Sequence, residues 1–147
     1  MAENVGSILF DKGGNIWSVG PDATVYDAIA MMMEKRIGAL LVIAHGLLVG
    51  IVSERDYARK VILQGRSSKD TPVKEIMTRS VITVSPEHSV DECMRIMTEH
   101  RIRHLPVLEG SKLAGVVSIG DLVKVIISEQ AHTIGQLHTY ISNTYPS

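Results

Sequence analysis

The sequence predicts an α/β (α+β) fold built from two pseudo-two-fold-related β-α-β-β-α repeats, and three observations carry that prediction. The stretch Gly50-Ile51-Val52-Ser53-Glu54-Arg55-Asp56 returns as Gly115-Val116-Val117-Ser118-Ile119-Gly120-Asp121, an offset of 65 positions. At that offset about 14 positions between Ile16 and Val61 are identical without a gap, among them Pro21 with Pro86, Glu34 with Glu99 and Leu40 with Leu105. Within each copy, apolar runs of strand length alternate with stretches of helical period. Self-similarity of this kind decides the fold before any single element does.

In chain order, Val5 to Phe10 is a short apolar segment of about one helical turn, and Asp11-Lys12-Gly13-Gly14-Asn15 has the composition of a turn. Ile16 to Val19 reads as a brief strand that Pro21 ends. Thr24 then opens a helix, with Asp27 completing a capping-box pattern. Val25, Ala28, Ile29, Met32 and Met33 fall on one face of that helix, which should end between Arg36 and Gly38. Ala39 to Ile43 and Leu47 to Val52 are continuous apolar runs joined by a tight turn at His45-Gly46, and such runs imply strands buried on both faces. Ser53 caps a second helix over Glu54 to Leu63.

Gln64 to Thr71 is polar and turn-prone, and separates the copies. Thr71-Pro72 opens a helical turn in which the missing proline N–H costs nothing. Val73 to Met77 repeats the pattern of Val5 to Leu9 at an offset of 68, the extra three positions coming from the glycine loop of the first copy. Val81 to Val84, Ser89 to His100, His104 to Leu108, Leu113 to Val117 and Ile119 to Ser128 then retrace the plan. Ser89 with Glu92 forms another capping box, and Val90, Cys93, Met94 and Met97 form the apolar face. Residues 5–64 are thus the first repeat, 65–72 a linker, 73–130 the second repeat and 131–147 a helical tail that frays from Asn143 to Ser147. The tail bears Ala131, Ile134, Leu137 and Ile141 at helical spacing, a stripe that needs the first copy or another subunit to cover it. One such sheet alone leaves an apolar face, which pairing the copies would bury.

Composition narrows the function. Of 147 residues, 45% are hydrophobic and 21% charged, a globular balance, and the net charge of −1 gives no electrostatic footprint for nucleic acid or an anionic membrane. One cysteine, Cys93, rules out an intramolecular disulfide framework and suits a reducing compartment. The opening MAENVGSILF does not read as a secretory signal, and no apolar run approaches the roughly 20 residues of a spanning helix. The expected location is cytoplasmic.

Ser-x-x-Asp at Ser53 and Ser118 is, at its plainest, a helix cap worth about 0.5–2 kcal/mol. Two features set these boxes apart from those at Thr24 and Ser89. Each follows a strand holding a glycine, Gly50 or Gly115, as strands do where a ligand or another backbone approaches. A serine hydroxyl and N–H groups at a helix start suit a phosphate, and an acid one turn in can accept both hydroxyls of a ribose.

The doubled pattern resembles a tandem pair of cystathionine-β-synthase (CBS) domains, a Bateman module, over nearly the whole chain from about Val5 to Ser128. The residues that carry the resemblance are KRIGALLVI with GIVSERD in the first copy and HRIRHLPVLE with GVVSIGD in the second. It implies a regulatory module with two clefts between the repeats for an adenosine-containing ligand, such as AMP, ADP, ATP, NAD or S-adenosylmethionine. It also implies a homodimer packed through helices, signalling to a regulated protein that the sequence does not name. Carried over by position, Ser53 and Asp56 hold phosphate and ribose in one cleft, and Ser118 with Asp121 in the other. Ile16, Trp17 and Ser18, with Ile82 and Thr83, meet the adenine. Leu40, Pro106 and Ile119 join the lining. Arg103 and His104 match positions that point at phosphates, whereas their counterparts Gly38 and Ala39 carry no charge. Arg55, matched by Gly120, is a second asymmetry, so the clefts should differ in phosphate affinity.

Other candidates are weaker. His100 and His104 are spaced like zinc ligands but straddle a helix end without a third ligand, so no metal is expected. Cys93 sits on an apolar helix face and reads as an inert buried thiol. Trp17 is expected in the core, with stacking on a base as the sharper alternative. The Met31-Met32-Met33 run reads as core plus helix surface. No P-loop lysine, G-x-G-x-x-G or nucleophile elbow is present, and the expectation is a protein that is not an enzyme. The alternative is a constitutive dimerisation scaffold with vestigial clefts.

Overall fold

A computed structural model describes residues 3–13 and 15–144, with side chains as far as Gly135. The turn position Gly14, the stripe residues Leu137 and Ile141 as side chains, and the end of the fraying tail (145–147) lie outside the described residues.

The first repeat is a three-stranded sheet in the order β1-β2-β3, with β1 over Ser18–Val19, β2 over Ala39–Ala44 and β3 over Leu47–Ser53. β1 runs parallel to β2, and β2 antiparallel to β3. The β2–β3 hairpin turns on His45 (φ 52°) and Gly46 (φ 76°), two left-handed residues that match the twist of the strands they join. The second repeat keeps the hairpin, β4 (His104–Glu109) with β5 (Lys112–Ser118), and both hairpins shift register at equivalent places, after Val42 and after Val107.

The expected strand Val81 to Val84 contracts to a single bridge, Val84 with Val107. Proline explains the loss. In the first repeat the Leu41 N–H donates to the Trp17 carbonyl at 3.4 Å. The equivalent of Leu41 is Pro106, which has no N–H to offer Ile82.

Helix α1 spans Val5–Lys12, capped by Asn4, so the expected turn begins only at Gly13. Helix α2 (Val25–Lys35) starts at Thr24 and stops at Arg36 in the left-handed conformation. Its counterpart in the second repeat, over Val90–His100, stops at Arg101 in the same way. Helix α3 is the single turn Glu54–Tyr57, and Ala58–Ile62 continue as a π-helical turn. A short 3₁₀ turn, Val73–Glu75, follows the linker. Helix α4 covers Val90–His100, and α5 runs unbroken from Ile119 to Thr144, taking the last repeat helix and the tail in one piece. Ala131 and Ile134 on that tail are exposed.

Two apolar cores result, and each copy's opening segment crosses to the other. Val5 and Ile8 of α1 are buried among Val90, Cys93, Met97, Leu105 and Val117 of the second copy. Val73, Ile76 and Met77 are buried among Val25, Met32, Leu40 and Val52 of the first. The backbone repeats the exchange: Val5 and Gly6 donate to His88 and Pro86, while Val73 and Lys74 donate to Ala23 and Pro21.

This crossing explains the strand glycines. A Cβ on Gly50 would lie 2.6 Å from Met77 Sδ and 2.9 Å from the Thr78 carbonyl, and one on Gly115 would lie 2.8 Å from Leu9 Cδ2. The space they leave is filled by the exchanged segments of the chain itself, not by a ligand. Trp17 also departs from expectation: it is 37% exposed, and the Lys35 ammonium stands 4.2 Å from its ring centroid. Cys93 is fully buried, and burial, with Glu92 adding, pushes its thiol up to about 11, so it is protonated and inert. Of the methionine run, Met32 is core and Met33 exposed.

Candidate functional site

Both Ser-x-x-Asp elements fold as reciprocal caps where a strand delivers the chain into a helix. Ser53 Oγ accepts from Asp56 N (3.2 Å), and Asp56 Oδ2 accepts from Ser53 N (2.9 Å). Ser118 Oγ accepts from Asp121 N (3.2 Å), and Asp121 Oδ2 accepts from Ser118 N (2.9 Å). The first N–H of each helix is used as well, Glu54 donating to the Gly38 carbonyl and Ile119 to that of Arg103. The caps therefore consume much of the donor capacity that a bare helix start would offer a phosphate.

Each carboxylate also carries a lysine, drawn from a different place. Lys60, one turn along, sits 3.1 Å from Asp56 Oδ1 and donates to the Ile76 carbonyl at 2.8 Å. Lys12, at the end of α1, sits 2.7 Å from Asp121 Oδ2 and donates to the Val116 carbonyl at 2.8 Å. Burial alone would raise the Asp121 carboxyl, but the Lys12 and Ser118 hydrogen bonds outweigh it and hold the group below its ordinary value.

Beside Ser118 on the neighbouring strand lies His104. Its imidazole fills the place of the side chain that Gly38 lacks: a Cβ on Gly38 would come within 3.3 Å of His104 Cε1. Burial lowers the His104 pKa below 6.5, Lys12 and Arg103 lower it further, and Asp121 pulls the other way. The ring is neutral at pH 7. Arg55 reaches across the repeats to the Arg101 carbonyl at 3.5 Å.

The structure thus brings Gly38, His104, Ser118 and Asp121 together between the repeats, and places Ser53 and Asp56 equivalently in the first copy. Ala39 pairs with Ser53, Ile119 follows Ser118 into α5, and Arg103 is exposed. Ile16, Ser18, Ile82 and Thr83 are half-buried, whereas Leu40 and Pro106 lie within the packed repeats. Sequence reasoning missed both lysines. Lys60 was open to the i,i+4 rule, while no local signal links Lys12 to an acid 109 positions away. Next to Asp121, a groove of about 750 Å³ opens between α1 and α5, with Lys12, Lys124, Ser128 and His132 on its walls. Among the described residues no three His, Cys, Asp or Glu side chains cluster as a metal site, and no helix is long and apolar enough to cross a membrane.

Duplicated hairpins, exchanged opening segments and paired serine–carboxylate caps define a tandem regulatory module of the CBS type. The CBS domain family model matches residues 6–62 and 73–128, and the chain belongs to that family. A solved structure from Burkholderia ambifaria, described as a signal-transduction protein with CBS domains, is 58% identical with a TM-score of 0.84, covering 87% of this chain and 96% of that one. The mitochondrial CBS domain-containing protein CBSX3 of Arabidopsis thaliana is 45% identical over 90% of this chain, which spans 66% of that relative's length. The CBS domain pair of protein MJ0100, solved with 5′-methylthioadenosine and S-adenosyl-L-methionine, is 26% identical with a TM-score of 0.77, covering 86% of this chain and 98% of that one.

Proposed function

We propose that this protein is a non-catalytic sensor whose two clefts take an adenosine-containing ligand, AMP, ADP or ATP first and NAD or S-adenosylmethionine next. The observation that carries the reading is the pair of partly exposed carboxylates, Asp56 and Asp121, with side chains 16% and 20% accessible, each fixed by a serine cap at the mouth of a strand. A carboxylate so oriented can receive a ribose diol, and the MJ0100 pair binds adenosine derivatives. Ligand binding acts by linkage, favouring one arrangement of the repeats in proportion to its differential affinity, and a partner protein reads the result. The sensor works as a homodimer in the cytoplasm, with exposed Met33, Ile62, Leu63, Val123 and Ile127 available to the dimer face.

Thermal unfolding with AMP, ADP, ATP, NAD and S-adenosylmethionine tests the reading. A ligand at 100 times its Kd adds about 2.7 kcal/mol of stability. Asp56→Asn and Asp121→Asn keep a cap acceptor but lose the charged double acceptor, so each should abolish the shift from its own cleft. If every shift survives both substitutions, the carboxylates are caps alone and the ribose assignment is wrong; if the wild-type protein shows no shift with any of the five, the protein is a constitutive scaffold.

A further inference from the structure

We propose that Lys12 is the specificity residue of the second cleft: it pairs with Asp121, is displaced by the ribose, and then meets the 5′ phosphate, so that this cleft selects a nucleoside monophosphate over the nucleoside. The inference rests on the nucleotide reading above and adds to it a residue outside both repeat motifs.

The argument begins with the lone pairs of Asp121. Oδ2 accepts from Ser118 N at 2.9 Å and from Lys12 Nζ at 2.7 Å, which fills the capacity of a carboxylate oxygen. A ribose diol needs both carboxylate oxygens, so one of those donors must leave. The Ser118 N–H is fixed in the backbone of the cap. Lys12 is a flexible side chain, 39% exposed, whose ammonium gives up only the Val116 carbonyl along with Asp121 when it moves, and no backbone hydrogen bond of strand or helix. Helix α1 stays in place when it does, because Val5, Ile8 and Leu9 anchor it in the second core.

The first cleft works differently. Asp56 Oδ2 takes Ser53 N and Ser53 Oγ, and Lys60 sits on Oδ1 from one turn along the same helix. There the cation stands on the same helical segment as its acid, whereas Lys12 reaches Asp121 from another element; each lysine also donates to one backbone carbonyl, Ile76 or Val116. In the second cleft the displaced ammonium instead stands in the open groove between α1 and α5, where Lys124 is the other lysine. Glu3, Asp11 and Glu129 line the same groove, so each phosphate beyond the first adds repulsion. That balance favours a monophosphate over a triphosphate.

Calorimetric titration of the full chain with adenosine, AMP and ATP provides the test. A charge-assisted contact made to AMP and absent from adenosine should give wild-type protein at least about a tenfold preference for AMP. Lys12→Met should bring that ratio within about twofold, with adenosine bound as well as before or better, since Asp121 is freed. Lys12→Arg keeps the cation and should keep the preference, which guards against a folding defect in the methionine variant. An unchanged AMP-to-adenosine ratio in Lys12→Met, or AMP binding that survives Asp121→Asn and is lost in Asp56→Asn, overturns the assignment while leaving the nucleotide reading intact. ATP bound about tenfold tighter than AMP overturns the monophosphate preference. Should wild-type protein bind none of the three, the role of Lys12 fails, and the adenosine-ligand reading fails with it if NAD and S-adenosylmethionine also leave the unfolding midpoint unmoved.

Discussion

The two copies carry the same serine and the same acid, yet balance that acid by different routes. In the first, Asp56 is answered by Lys60 from its own helix, a contact settled as soon as that turn forms. In the second, Asp121 is answered by Lys12 from the far end of the chain, a contact that exists only once α1 has docked. The same contrast recurs at the glycines: Gly50 faces a sulfur and a backbone carbonyl, Gly115 the tip of a leucine. A duplicated motif therefore does not give duplicated sites. Its second instance is more dependent on tertiary structure, and more open to adjustment by it.

The largest effect should come from the exchanged plugs. Ile76→Ala removes a side chain that is 1% exposed and held on both sides by chain, so it should cost about 2–5 kcal/mol in urea unfolding. Ile8→Ala, at 6% exposure on a terminal helix that can yield locally, should fall at the low end of that range. Equal costs would show that α1 is as firmly seated as the internal segment. Next come the glycines. Gly50→Ala pushes a methyl against the Thr78 carbonyl and should cost about 1–3 kcal/mol, whereas Gly115→Ala meets a rotatable Leu9 and should cost less. The reverse order would mean that β3 yields more easily than Leu9 repacks.

The smallest effect is a dependence on pH. The folded His104 pKa lies below the ordinary 6.5, so the unfolded chain binds a proton that the folded one resists. Stability owed to the neutral ring is complete above pH 6.5 and declines as pH falls through that value toward the folded pKa. The groups facing the ring are Lys12, Asp121 and Arg103. The first repeat has Ala39 at this place, so His104→Gln should flatten the decline between pH 7 and 5.5, read as the unfolding midpoint. A wild-type profile already flat across that window would contradict the burial argument.

Much of this was legible in the sequence. The offset of 65 positions announced the hairpins, the caps at Thr24, Ser53, Ser89 and Ser118, and the helix ends at Arg36 and Arg101, because each is fixed by residues within a few positions of itself. What stayed hidden depends on distant partners. The weakened strand at Val84 requires knowing that Pro106 lies across from Ile82. The purpose of Gly50 and Gly115 requires knowing that Met77 and Leu9 cross over. Lys12 read as part of a turn, when it completes α1 and pairs with Asp121.

The crossing of the opening segments bears on how such a chain could have arisen and how it must be handled. Severed in the linker, each half would retain its own hairpin but carry the stopper that belongs in the other's interior. Duplication of a single ancestral unit fits this layout if two separate copies first met by swapping those stoppers, and fusion then made the trade permanent. The smallest self-sufficient piece of this protein is accordingly the doubled one, and domain dissection has no clean place to cut.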